Sequence, residues 1–370
     1  MDKNIKIFFD LNSIYNKSNK TYREDYMNLC FEFADIADLT IVFSEVFEIN
    51  KLKKQLNLQC KNVTFITCES IENINFDIPE VKAIFVISDM YKTVEIERKI
   101  IKFSLDFDSI ENRYSNASLV SLVKEKLIYN LFSSDFSFLI NKDTKNECNF
   151  LQYVFQKNNI SSGKILDCCC GVGRHDALLS NCGYEILGID ISEKQIETAN
   201  KTNKNNLINY MVGDIRNYKL PYKQFNGAFC MWTSFNYFNK EEMHSFINNV
   251  YEGLKDGAIF ILDTKNFTSP TQYKTYIKTL ENETKKVFIL VIKRVKNKMQ
   301  TSKYIYFIYD KSTQKADCFA DNELINIYTK TNILNIVKDK FLIIDAFGGY
   351  DASPFNKDKS DRMILVLKKV

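Results

Sequence analysis

The sequence predicts an α/β protein of two blocks, a smaller α/β domain followed by a doubly wound parallel sheet that carries an antiparallel β insertion. Three observations predict it. Short apolar runs alternate with helical patterns twice along the 370 residues, as in parallel sheets covered by helices on both faces. The period then changes to alternating β after residue 264. Between these stretches, "ILDCCCGVGRH" (165–175) sets a Gly-x-Gly where a buried strand gives way to a helix. That is where such sheets bind ligands. A chain of this length has room for two cores.

In the first block (1–104), "KIFF" (6–9), "LTIVF" (39–43), "VTFIT" (63–67) and "VKAIFVIS" (81–88) read as short buried strands. Helical patterns lie at 21–35 and 48–58, and another follows at 93–103. Asp10 follows the first strand, Ser44 the second and Asp89 the fourth. This order faintly resembles the haloacid-dehalogenase-type phosphatases, which by that resemblance use an Asp nucleophile, a Ser or Thr, and a late Asp for Mg²⁺. Asn12 stands where the second Asp of the first motif belongs, and Asp89 has no tandem acidic partner. Both departures weaken leaving-group protonation and metal binding. A docking or nucleotide-binding domain fits them better than an active phosphatase.

Residues 105–135, rich in Ser, Asn and Asp with helical material at 119–132, read as linker and helix. The second block, 136–370, opens on a helix at 146–158. Strands follow at "KILDCCC" (164–170), "EILGID" (185–190), "INYMVGD" (208–214), "NGAFCMW" (226–232) and "AIFILDT" (258–264). Helices fill the gaps at 174–182, 192–203 and 240–255. Alternating strands at 285–297, 301–310 and 321–329 form the β insertion, 285–329. A helix at 331–340 and strands at 341–349 and 362–369 close the block.

Composition excludes several classes. Hydrophobic residues make up 45% and charged residues 26%, with a net charge of +4 and no basic block, so a nucleic-acid partner is not indicated. The N-terminus lacks a signal-peptide pattern and no apolar run is long enough to span a bilayer, which predicts a cytoplasmic chain with no membrane partner. There a framework of disulfides among the 10 cysteines is not expected. Cys30, Cys60, Cys68, Cys148, Cys182, Cys230 and Cys318 stand alone, and only 2 histidines exist, so no metal site is expected either. Cys168, Cys169 and Cys170 lie at a strand end, where neighbours point to opposite faces. They read as small apolar packing groups.

Gly171 and Gly173 let the backbone turn tightly and approach a ligand, and the helix opening at Arg174 offers its N–H groups. Asp176 occupies the position of a third glycine. Asp190, ending the next strand, is placed to accept both hydroxyls of a ribose, and Asp214, ending the one after, an exocyclic adenine amine. A nucleoside without a pyrophosphate fits this set better than a dinucleotide.

The residues from about 136 to 370 resemble a class I S-adenosylmethionine-dependent methyltransferase, a Rossmann-like fold. The pattern is carried by Asp167, Cys170, Gly171, Gly173, Arg174 and His175, by Asp190, and by Gly213 with Asp214. "FNGAFCMWTSFNYF" (225–238) and "LKDGAIFILD" (254–263) resemble the family's fourth and fifth strands. The resemblance implies S-adenosylmethionine as cofactor: Asp190 with Ile191 at the ribose, Asp214 with Ile215 at the adenine, Arg174 at the methionine carboxylate, and Met231 and Trp232 beside the sulfonium. Tyr237 and His175 are the candidate catalytic residues, His175 also as a group that orders the loop. His244 reads as a surface residue. The β insertion resembles that of enzymes acting on sugar nucleotides and amino-acid-like metabolites, which implies methyl transfer to N or O of a small molecule; the alternatives are methylation of RNA or protein, or a bifunctional chain with an N-terminal phosphatase-like domain. The family's N-terminal Tyr-Asp entry motif appears as Phe136 and Ser137.

Overall fold

The computed structural model describes residues 5–10, 15–16, 21–22, 38–43, 63–68, 71–75, 83–87, 95–97, 100–103, 129, 143–268, 272–296, 298–313 and 315–370. The expected helix at 48–58, most of that at 21–35, Cys30, Cys60, Asn12, Ser44, Asp89, Phe136, Ser137 and all of the 105–135 linker except Tyr129 lie outside the described residues. The chain divides into two compact units. One joins Met1–Asn116 with Thr271–Val295 and Thr301–Glu323; the other joins Ala117–Pro270 with Lys296–Gln300 and Leu324–Val370.

The first unit contains β1 (Ile5–Asp10), a short hairpin of β2 (Tyr15–Asn16) and β3 (Thr21–Tyr22), and β4 (Asp38–Phe43), β5 (Val63–Thr67), β6 (Ala83–Ile87), β7 (Glu95–Glu97) and β8 (Ile100–Phe103). Six of these form a sheet in the order β5-β4-β1-β6-β8-β7. It is parallel except for β7, which runs antiparallel to β8. Phe8, Val42, Ile71, Ile84 and Val86 pack its core. Asp10 is buried at the end of β1. The helix expected at 93–103 is instead the strand pair β7 and β8. Ile100 and Ile101 are β-branched and pair in parallel with Ile84 and Phe85, and a short apolar run carries too little periodicity to outweigh that pairing.

The inserted ladder groups with this first unit. It is a four-stranded sheet in sequential order, β14 (Gln272–Glu281), β15 (Lys285–Lys296), β16 (Met299–Asp310) and β17 (Lys315–Asn326). Its first strand lies ahead of the expected 285–329 boundary.

The second unit holds α1 (Thr144–Lys157), β9 (Gly163–Cys168), α2 (Arg174–Asn181), β10 (Tyr184–Asp190), α3 (Glu193–Thr202), β11 (Ile208–Val212), β12 (Phe225–Cys230), α4 (Lys240–Gly253), β13 (Leu254–Lys265), α5 (Lys330–Val337), β18 (Phe341–Phe347) and β19 (Arg362–Lys369). The seven-stranded sheet runs β11-β10-β9-β12-β13-β19-β18. β10, β9, β12 and their neighbours β11 and β13 are parallel, while β19 and β18 turn antiparallel at the far edge. No helix joins β11 to β12, unlike the other parallel steps of this sheet. Strand order reverses between β9 and β12, which opens a crevice at their carboxyl ends.

Alternation along β9 sorts the core into two layers. Leu166 and Cys168 pack with Met243, Phe246 and Val250 of α4 and Ile333 of α5. Ile165 packs on the other face with Phe150, Leu151 and Phe155 of α1. The helix starts are fixed locally: the Asp143 side chain accepts from Asn146 N, Ser192 from Gln195 N, and Asn239 forms a reciprocal capping box with Glu242. Among the described residues no helix is long and apolar enough to cross a membrane.

Candidate active site

The loop after β9 is built from left-handed residues: Cys169 at φ 64°, Gly171 at 59° and Gly173 at 69°. Cys169 N and Cys170 N both donate to Ile189 O, at 2.8 and 3.1 Å, which ties the loop to β10. At Gly173 a Cβ would stand 1.9 Å from the Tyr210 hydroxyl oxygen, so only glycine closes this turn against β11. Asp190 then braces the loop from below. Its Oδ2 accepts from Gly171 N at 2.9 Å and its Oδ1 from Ser192 N at 2.8 Å. Burial raises its carboxyl above the usual range, with those N–H donors opposing the shift.

One cavity lies over this crevice. Asp167, Cys170, Gly171, Arg174, His175, Asp190, Ile191, Asp214, Ile215, Met231, Trp232 and Tyr237 all line it. Gly173 sits beneath, as the N-cap of α2. The triple cysteine divides by geometry. Cys168 is core, Cys169 is the first left-handed residue of the turn, and Cys170 packs under the loop with Tyr210. Burial pushes the Cys168 and Cys170 thiols well up, and a hydrogen bond with Cys230 followed by burial does the same for Cys169. Protonated thiols are poor nucleophiles and poor ligands. Among the described residues no group of three His, Cys, Asp or Glu could hold a metal ion.

Several partners of the expected residues carried no signal in the sequence. Arg216, two residues past Asp214, donates to its Oδ1 and Oδ2 through Nε at 2.9 and 3.1 Å and to Oδ2 through Nη2 at 2.6 Å, and it also pairs with Glu242 of α4. The Asp214 carboxylate is therefore held in one orientation at the cavity wall. Glu147 of α1 is buried and gathers two consecutive residues of α2: its Oε2 takes Arg174 Nη2 at 2.5 Å and His175 Nε2 at 2.7 Å. Burial by itself would raise this carboxyl, but the His175 hydrogen bond and the Arg174 charge hold it at about 2. His175 is thus tied back to α1, and Arg174 is fixed by Glu147 and by Thr144 Oγ1 at 2.7 Å. Tyr237 and Tyr129 share a hydroxyl–hydroxyl bond of 2.7 Å, and both line the cavity.

The opposite wall is strained. Trp232 and Thr233 follow β12 in the left-handed region, at φ 59° and 69°, a conformation costly for non-glycine residues. Asp263, fully buried at the end of β13, holds it there. Its Oδ2 accepts from Trp232 N at 2.8 Å and from the Tyr350 hydroxyl at 2.8 Å, and its main-chain oxygen accepts from Thr233 N at 3.0 Å. Arg362 Nε and Nη2 close on the same carboxylate at 2.5 and 2.8 Å. The guanidiniums of Arg362 and Arg174 lie 5.1 and 5.6 Å from the Trp232 ring centroid.

A family of methyltransferase domains matches residues 165–257. Over 108 residues the chain is 27% identical to glycine/sarcosine N-methyltransferase of Aphanothece halophytica, covering 28% of this chain and 41% of that one. Over 123 residues it is 31% identical to the ubiquinone biosynthesis O-methyltransferase of Rickettsia canadensis, covering 31% of this chain and 50% of that one. The matches thus span half or less of these curated relatives. Among solved structures, an S-adenosylmethionine-dependent methyltransferase from Clostridium acetobutylicum aligns with a TM-score of 0.56 at 20% identity, over 65% of this chain and 98% of that one. A sugar N-methyltransferase from Streptoalloteichus aligns with a TM-score of 0.55 at 17% identity, over 66% of this chain and 93% of that one. Residues 165–257 carry a methyltransferase domain, and the unit built around them has the fold of the class I S-adenosylmethionine-dependent methyltransferases.

Proposed function

We propose that the chain transfers a methyl group from S-adenosylmethionine to an N or O atom of a small molecule. One observation carries the reading. Asp190 and Asp214, at the ends of adjacent strands, line the same cavity as the Gly171 turn and the Met231–Trp232 segment. The donor set suits a nucleoside joined to an amino acid. Each carboxylate keeps acceptor capacity beyond its present bonds, since an ionised carboxylate has about four lone-pair sites. Asp190 would take the ribose hydroxyls beside Ile191. Asp214, oriented by Arg216, would take the adenine amine, with Ile215 against the ring. Arg174, steadied by Glu147, would meet the methionine carboxylate, and Asp167 the ammonium.

When bound, the cofactor supplies an activated methyl on a sulfonium. The chain's own residues then have to orient the acceptor in line and keep water out. Met231, Trp232 and Phe238 supply apolar wall on the acceptor side. The Tyr129–Tyr237 pair offers a hydroxyl there that both donates and accepts. His175, bound back to Glu147, orders the loop. An amine that loses its own proton in water fits such a site well.

Calorimetric titration of the full chain with S-adenosylhomocysteine should show one binding site. Transfer of labelled methyl should then appear with a panel of amines and sugar nucleotides and stay absent with RNA. Failure to bind S-adenosylhomocysteine would overturn the reading.

A further inference from the structure

Beneath the glycine loop two carboxyl groups face each other in the dark of the core. Asp167 of β9 is 2% exposed and Asp176 of α2 is 0% exposed. Neither oxygen of Asp176, nor Oδ2 of Asp167, receives a hydrogen bond from an N–H or O–H at proper geometry. Yet the two side chains lie within hydrogen-bond reach of one another, with the Tyr210 hydroxyl alongside. Two ionised carboxylates cannot bond to each other, and an unpaired buried charge is among the costliest arrangements in a protein. The contact is satisfied only if one carboxyl holds a proton.

We propose that Asp167 and Asp176 share one proton in an acid–carboxylate hydrogen bond, which makes Asp176 a positioning residue that fastens the first turn of α2, and with it the Gly171–Gly173 loop, to β9. The inference rests on the reading of this loop as a cofactor site. Surrounding chemistry agrees. Burial drives Asp176 up to about 7 against the hydrogen bonds with Asp167 and Tyr210, while burial, the Asp176 charge and the hydrogen bond with Asp176 drive Asp167 well up, so the proton belongs to the pair. The other titratable groups bearing on the pair are Cys168 of β9, Cys169 and Cys170 of the loop, Asp190 of β10, Tyr210 of β11, Cys230 of β12 and Cys148 of α1. All of them are raised, Cys169 chiefly by its hydrogen bond with Cys230 and the rest by burial, so none but the carboxylates brings a charge at neutral pH, and that charge is negative. Loss of the proton would set two carboxylates against each other directly under the loop.

The sign follows. A carboxyl raised in the folded state stabilises most at low pH, and its contribution is lost as pH rises through the folded value. Melting temperature should decline from about pH 4, the ordinary carboxylate value, to about pH 7, and S-adenosylhomocysteine affinity should decline as pH rises above about 7. The affinity should fall by as much as about tenfold per pH unit, the limit for one required proton. Asp176→Asn supplies a permanent amide donor of the same shape. It should bind as the wild type does at pH 6 and lose the decline, and Asp176→Ala should bind more weakly at every pH. The infrared carbonyl band of a protonated carboxylic acid should be present in the wild type at pH 6 and missing in Asp176→Asn. Should Asp176→Asn fail to fold, loss of the wild type's acid band as pH rises, in step with its affinity, serves the same test. A pH decline in Asp176→Asn equal to the wild type's, or an unchanged acid band, would overturn the proposal. If S-adenosylhomocysteine binds at no pH, the cofactor reading fails instead, and the melting curves and the acid band still decide the proton.

Discussion

The two walls of the cavity are held in place by opposite means. On the β9–β10 side, glycines take up left-handed turns, and main-chain N–H groups of Gly171 and Ser192 settle onto the Asp190 carboxylate. On the β12–β13 side, a tryptophan and a threonine occupy the same left-handed region, pinned by a buried ion pair between Asp263 and Arg362. Apart from Cys169, the first wall is built from residues that adopt its geometry readily. The second is forced into its geometry by partners elsewhere in the chain. Strain of about 1–3 kcal/mol per residue persists only where the surroundings over-determine it, so the second wall should depend more steeply on a single contact.

Breaking that contact should give the largest effect. Arg362→Ala leaves Asp263, fully buried, without its cation, and removing one partner of a buried pair costs about 3–5 kcal/mol. Urea unfolding should show a loss of that size, accompanied by loss of methyl transfer. Arg362→Lys restores the charge but not the two-pronged geometry and should fall between. A loss under about 1 kcal/mol for Arg362→Ala would mean that the Trp232–Thr233 turn stands without the clamp.

The first wall should answer mainly in ligand affinity. Asp190→Ala removes two charge-assisted bonds to ribose hydroxyls, each worth about 1.5–3 kcal/mol. S-adenosylhomocysteine should then bind at least about a hundredfold more weakly, since about 1.4 kcal/mol is a factor of ten. Asp190→Asn should lie between. The Gly171 and Ser192 N–H groups also lose their acceptor, so the alanine variant should melt lower as well. Equal affinities across the series by calorimetry would make Asp190 a brace for the loop and nothing more.

How much of each wall could be read from the sequence follows the same division. Gly171, Gly173, Asp190 and Asp214 announce themselves because residue type and place after a strand dictate their geometry. Glu147, Arg216 and Tyr129 give no such sign. Glu147 lies 27 residues before Arg174, and only the packing of α1 on α2 joins them. The Asp263–Arg362 pair spans 99 residues and depends on β13 and β19 lying side by side. Strand β14 escaped notice because "QYKTYIKTLE" is a mostly polar strand that needs its pairing with β15 to declare itself. The 93–103 segment failed the other way, its apolar spacing fitting a helix until a parallel neighbour claimed it.

A glycine exchange separates turn geometry from crowding on the first wall. Gly173 and Gly183 both have positive φ, 69° and 91°. A Cβ at Gly183 meets nothing within 4 Å, whereas one at Gly173 meets the Tyr210 hydroxyl at 1.9 Å. Gly183→Ala should therefore cost only the backbone penalty, about 1–2 kcal/mol. Gly173→Ala should cost more than that and weaken S-adenosylhomocysteine as well, because Tyr210 cannot move without disturbing Asn203 and Asp176. Equal melting temperatures for the two variants would show that the β11 contact yields freely.

The smallest expected effect reverses an ordinary preference. At most positions alanine is more stable than glycine by about 0.5–1 kcal/mol, because glycine loses more conformational freedom on folding. Cys169 is an exception in waiting. It sits at φ 64° without being a glycine, and a left-handed backbone costs a residue with a Cβ about 1–2 kcal/mol. Cys169→Ala keeps that cost and gives up the thiol contact with Cys230, so it should lose about 1 kcal/mol. Cys169→Gly gives up the same contact but sheds the backbone cost, and it should equal or exceed the alanine variant in stability. Both should hold S-adenosylhomocysteine affinity within a few fold, since the thiol is protonated and plays no part in binding. Cys168, in the strand and fully buried, provides the control: there alanine should beat glycine. If alanine is the more stable at both positions, the turn after β9 has less strain to release than its dihedral angles imply, and the contrast with the Trp232–Thr233 wall narrows accordingly.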